Sequence, residues 1–156
     1  MLLDFQTLLA NDQTLIGTSP STVVSTNTID LGAAGTIPAG FQARGSQVKD
    51  LGAGARGTRP EILVQVTTTV ASGGAATIIF DLIMSAAADL SSPTKLHSTP
   101  AIALGTMVAG YKFRIAIPPG ITARYLGVQY TIGGADTTGG AYSAGLLLDR
   151  ESVFNG

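Results

Sequence analysis

The sequence predicts an all-β protein, a jelly-roll type antiparallel β-sandwich with a long Gly-rich loop over 35–60. Three observations lead there. Apolar residues alternate with polar ones over 111–117, 124–132 and 142–149: Tyr111, Phe113, Ile115 and Ile117; Leu126, Val128, Tyr130 and Ile132; Tyr142, Ala144, Leu146 and Leu148. A period of two marks strands with one face buried. No window sustains the 3.6-residue apolar period of a helix longer than about two turns. Finally, the patterned stretches are separated by Pro118-Pro119-Gly120, Gly133-Gly134 and Gly139-Gly140, residues that turn a chain or leave it irregular.

Taken in order, residues 2–9 carry apolar side chains at 2, 5, 8 and 9, which permits a short helix ended by Asn11-Asp12 or an irregular arm. Ser19-Pro20-Ser21 is a break, and the β-branched stretch 22–31 suits one or two short strands. Residues 61–70 place Ile62, Val64, Val66, Thr68 and Val70 on one strand face. The turn 71–75 then leads to a strand over 77–85, which together read as a hairpin. Residues 86–110 are weaker, with extended pieces around Leu96 and Ile102. The expected core is Ile62, Val64, Val66, Ile78, Phe80, Leu82, Phe113, Ile115, Leu126, Val128, Leu146 and Leu148. A chain of 156 residues suits one domain, 1–156, with an N-terminal arm over 1–20.

Composition narrows the function. Charged residues are 12% of the chain, about half the usual share, which fits either a surface that partly faces protein rather than water or simply the abundance of small Gly, Ala and Thr residues. A net charge of −1 lacks the basic excess that nucleic acid demands. With no cysteine and one histidine, thiolate catalysis and Cys- or His-based metal centres are excluded within one chain. His97 lies in a polar, turn-rich stretch and reads as an exposed loop residue; no Gly-x-Ser-x-Gly pattern accompanies it. The carboxylates are scattered singly, and the sequence favours neither an enzyme nor a cofactor. Asp81 stands mid-strand with Ile79 and Ile83. It belongs either to the less buried sheet face or to a subunit contact. The apolar window 70–88 alternates and contains Gly73-Gly74 and Asp81, so a strand fits better than a membrane span. Residues 1–9 lack a basic start, and Asp4 interrupts their apolar run, which makes a poor signal peptide.

Several ordered motifs resemble a known family. They are Met1-Leu-Leu-Asp-Phe-Gln-Thr-Leu-Leu9, Asp12-Gln-Thr-Leu15 and Ser25-Thr-Asn-Thr-Ile-Asp-Leu-Gly32, then Leu90-Ser-Ser-Pro-Thr-Lys-Leu96, Ile117-Pro-Pro-Gly120, Arg124-Tyr-Leu126, Tyr130-Thr-Ile-Gly133 and Ala144-Gly-Leu-Leu-Leu-Asp149. This set is similar to the Bordetella-type tailed-phage capsid cement, or decoration, proteins; the resemblance thins over 33–60. It implies a jelly roll on the outer surface of a phage head, bound to the major capsid protein, without catalytic residues. It also implies a small homo-oligomer, a dimer favoured over a trimer.

Two partner-binding segments are expected. The N-terminal Leu2, Leu3 and Phe5 are too apolar for a free arm in water, so the segment either packs on a neighbouring subunit or the shell or folds back on its own sandwich. Arg44, Lys49, Arg56 and Arg59 place a cationic excess in the loop 35–60, with Asp50 its one acid, suited to pairing with carboxylates on a partner. The rival expectation is a carbohydrate- or receptor-binding β-sandwich module of a phage fibre. No nucleic-acid, membrane or cofactor partner is expected.

Overall fold

The computed structural model describes residues 7–32, 50–51 and 60–147. Among these, ten strands form: β1 (Leu8–Thr14), β2 (Ser21–Val24), β3 (Ile29–Asp30), β4 (Glu61–Ser72), β5 (Thr77–Ser85), β6 (Thr94–Ser98), β7 (Ile102–Ala103), β8 (Lys112–Ala116), β9 (Tyr125–Gly133) and β10 (Thr137–Leu147). A 3-10 turn at Leu104–Thr106 follows β7. One sheet has the order β1-β10-β4-β8; the other has β2-β9-β5-β6, with β3 on β9 and β7 on β5.

This order makes the fold a jelly roll. Leaving out the two-residue strands, the first strand pairs with the last (β1 with β10), the second with the next to last (β2 with β9), the third with the sixth (β4 with β8) and the fourth with the fifth (β5 with β6), all antiparallel. The resulting double ribbon rolls up until β10 lies beside β4 and β9 beside β5. A jelly roll is such a pair of interlocked sheets.

The alternating residues point into the space between the sheets. Ile62, Val64, Val66, Ile78, Phe80, Leu82, Ile115, Leu126, Val128 and Leu146 are buried there as expected, while Phe113 is half-buried against them and Leu148 lies outside the described residues. An aromatic junction joins the layers. The Phe80 ring meets Phe113 edge-on at 5.4 Å and Tyr142 at 5.3 Å, and Tyr130 meets Tyr142 at 5.7 Å. Buried phenols need partners. The Tyr130 hydroxyl donates to the Thr14 carbonyl at 2.8 Å, and that of Tyr142 donates to Gln13 Oε1 at 3.2 Å. Burial pushes both phenol pKa values up.

Four expectations are corrected. The helix allowed over 2–9 gives way in its described part to β1, which runs through Asn11-Asp12 instead of ending there; residues 8–14 of the 1–20 arm thus belong to a sheet. The register slips between Ala10 and Gln13, and Asp12 takes φ 51°, a left-handed conformation that Asp tolerates, so the pair makes a bulge. Second, β4 and β5 are not a hairpin: they lie in different sheets, and the turn between them is an arch across the sandwich. Third, Gly139-Gly140 does not interrupt the last strand but kinks it. Gly140 has φ +125°, and a Cβ there would stand 2.9 Å from the Val70 Cα. Thr68, finally, is exposed, because a register shift between Val66 and Thr68 moves it off the inward face.

Candidate partner-binding site

Among the described residues, the sandwich is open along one side, where β8 ends one sheet and β6 and β7 border the other. Ser98 stands opposite Asp81 and His97 opposite Leu82. His97 therefore belongs to the inward face, yet at this margin it remains exposed, on a strand and not in the loop expected for it. Across the gap, β8 turns Phe113 inward and Lys112 and Arg114 outward. Between the two margins lies a cavity of about 610 Å³ whose lining includes His97, Pro100, Ile102, Tyr111, Phe113 and Arg114. Its floor is apolar and aromatic, and its rim carries the imidazole and the guanidinium. Arg114 Nη1 lies 3.6 Å from Glu61 Oε2, so the cation is held over the β8 margin.

The outer face of the second sheet carries a different cluster. Asp81 is 0% exposed, and its neighbours on β6 and β9 are Ser98 and Gln129. Ser98 donates to Asp81 Oδ1; Gln129 Nε2 donates to Oδ2 at 2.8 Å, and Lys95 Nζ reaches Oδ2 at 2.6 Å. Burial by itself would raise the Asp81 pKa, but these donors outweigh it and hold the carboxyl below its ordinary value of 3.8. The carboxylate is satisfied within its own sheet. Asp81 lies on the outer sheet face with Ile79 and Ile83 as expected, but that face is not the less buried one at this point: the side chain is fully covered.

The partner-binding residues expected from sequence, Leu2, Leu3, Phe5, Arg44, Lys49, Arg56 and Arg59, all lie outside the described residues. Leu9, from the same apolar run, is fully buried in the sandwich's own core. Asp50, expected as the loop's acid, is buried and accepts the Gly120 N–H at 2.7 Å, while Leu51 packs against the core. The margin groove was missed because its parts come from 97–102 and 111–114, segments whose juxtaposition no spacing in the sequence encodes. Among the described residues, no three of His, Cys, Asp and Glu gather into a metal-binding group.

Comparison with known proteins bears on this arrangement. The Bbp16 family model matches residues 13–146. The chain belongs to the Bbp16 family. That membership connects it with phage proteins. Among solved structures, a chain of the structure of infectious bursal disease virus Gx strain aligns over 89% of this chain, at 11% identity and a TM-score of 0.36. The match spans 30% of that chain's length, and so slight a likeness carries no argument. No curated protein matches the sequence.

Proposed function

We propose that this protein is a capsid cement protein: a jelly roll that binds the outer surface of a tailed-phage head and stabilises contacts between major capsid protein subunits. The observation that carries the reading is family membership over residues 13–146, nearly the whole jelly roll. Three features support it. The fold is one that viral shells use repeatedly. The low charged fraction suits a protein with much of its surface against other protein. The resemblance of the ordered motifs to decoration proteins extends from Met1 to Asp149. The role is mechanical, with the shell held against internal pressure by added contact area rather than by chemistry.

In this reading the protein acts as a small homo-oligomer, a dimer in preference to a trimer; its N-terminal segment packs on a neighbouring subunit or on the shell, and its cationic loop on the capsid protein or a sister subunit. Arg44, Arg56 and Arg59 can form bidentate pairs with capsid carboxylates. The test is a density map of particles assembled with and without the protein. Jelly-roll density on the outer shell is expected, with earlier loss of DNA on heating when the protein is absent. Replacing Arg44, Arg56 and Arg59 by alanine should lower occupancy and make attachment less salt-sensitive. Density confined to a tail fibre would overturn the proposal and favour a receptor-binding module, the one alternative that the aromatic groove of His97, Tyr111, Phe113 and Arg114 would suit.

A further inference from the structure

The β8 margin has an orientation that its register reveals. Ile117 N–H donates to the Pro60 carbonyl at 3.2 Å, and Val66 N–H donates to the Tyr111 carbonyl at 2.8 Å. Both contacts keep the register that pairs Lys112 with Gln65 and Ala116 with Glu61. In an antiparallel ladder alternate residues turn their backbone groups to opposite sides. Tyr111, Phe113, Ile115 and Ile117 thus address β4, and the N–H and C=O groups of Lys112, Arg114 and Ala116 point away from it. Among the described residues, β8 pairs with no strand but β4. An edge of this kind is a template for another strand. Such a strand would send alternate side chains inward beside Phe113 and the aromatic groove, and the others outward beside Lys112 and Arg114.

One segment of this chain matches both demands. In extended form Met1, Leu3 and Phe5 share one face, and Leu2, Asp4 and Gln6 share the other. The apolar face suits the groove, and Asp4 suits the cations. The segment cannot lie along β8 of its own chain. Leu8 is level with Gly145, Leu63 and Arg114, so β1 and β8 occupy opposite edges of one sheet, three strand spacings or about 14 Å apart. Six extended residues reach about 20 Å, and lying along the strand would use about 16 Å of that, which leaves too little to cross the sheet. We infer that residues 1–6 of one copy add as a strand to the outer edge of β8 in a second copy, with Met1, Leu3 and Phe5 in the groove and Asp4 beside Lys112 and Arg114. This exchange requires no capsid and goes beyond the proposed attachment.

Sedimentation of the full chain over a concentration series tests it, with folding checked by circular dichroism. Proline at 112 removes an N–H that points away from β4, so Lys112→Pro blocks the edge and spares the fold's own ladder. Both Lys112→Pro and the double variant Leu3→Asp/Phe5→Asp should weaken self-association by roughly tenfold or more, the scale of losing one well-packed contact. Mixing these two variants should restore a dimer held by one exchanged strand, because one supplies an intact edge and the other an intact segment. If Lys112→Pro fails to fold, a charge exchange replaces it: Asp4→Lys should weaken association and added Lys112→Glu should recover it. A monomeric wild type, association unmoved by either folded variant, a mixture that stays monomeric, or a charge exchange without recovery would each overturn the inference.

Discussion

Two buried regions lie back to back across β5, and they are built on opposite principles. On the inner face Phe80 packs against rings from both sheets, whereas one residue on, Asp81 lies equally buried on the outer face among Lys95, Ser98 and Gln129. The aromatic junction draws on apolar area, which is non-directional and proportional to size. The polar cluster depends on each donor having its acceptor, because a buried polar group without a partner costs more than the bond contributes when made. Adjacent positions on one strand therefore differ in what they tolerate: the first requires volume, the second requires matched partners.

The largest expected effect lies on the aromatic side. Phe80→Ala removes a ring that touches three others and should destabilise the fold by about 3–5 kcal/mol, measured by chemical denaturation. A loss below about 1 kcal/mol would mean that the sheets can close the gap, and would remove the contrast.

Asp81→Ala comes next. It leaves the buried Gln129 amide without its acceptor and should cost about 1–3 kcal/mol. Its pH dependence sharpens the point. Because the folded carboxyl is held below 3.8, its stabilisation is fully present above that value and is lost as pH falls through the lower folded pKa. Asp81→Asn has no such contribution. The melting temperature of the native protein should exceed that of the variant at neutral pH, and the difference should begin to shrink only as pH falls below 3.8 and vanish below the lower folded pKa. Asp30 and Asp89 are also held low, so only the difference between the two proteins isolates Asp81. Parallel curves across the acid range would contradict this reading.

Lys95→Ala should cost less, below about 1 kcal/mol, because its side chain is 56% exposed and water can replace it while Ser98 and Gln129 still hold the carboxylate. The smallest effect belongs to the exposed pair in which Arg124 Nε and Nη2 bind the two Asp30 oxygens at 2.8 and 2.7 Å. Arg124→Ala should barely move the melting temperature, and 0.5 M salt should erase what difference exists. A larger loss for Arg124→Ala than for Asp81→Ala would reverse the ranking of burial over geometry.

Much of this fold was legible in the chain. Ile62, Val64 and Val66, then Ile78, Phe80 and Leu82, then Leu126 and Val128 announced buried strand faces through the period of two, which is a local property of extended backbone. Glycine pairs and prolines marked where strands part, although Gly139-Gly140 and Asn11-Asp12 turned out to bend strands that continue through them. A bulge and a turn call on the same residues, those that accept left-handed backbone, and composition cannot separate them. Nor could the period of two distinguish a hairpin from an arch, since β4 and β5 alternate in the same way whether they pair with each other or with β10 and β9.

The sequence by itself determined the class of fold, most of the inward face and the lack of any thiol chemistry, because these follow from local periodicity and residue type. Tertiary structure alone decided which sheet each strand joined, that Asp81 would meet Lys95, Ser98 and Gln129, and that His97 would face Tyr111 and Phe113 across an open margin. Pairing the first strand with the last is a matter of how the whole double ribbon rolls, and contacts between residues a hundred positions apart leave no trace in the spacing of either.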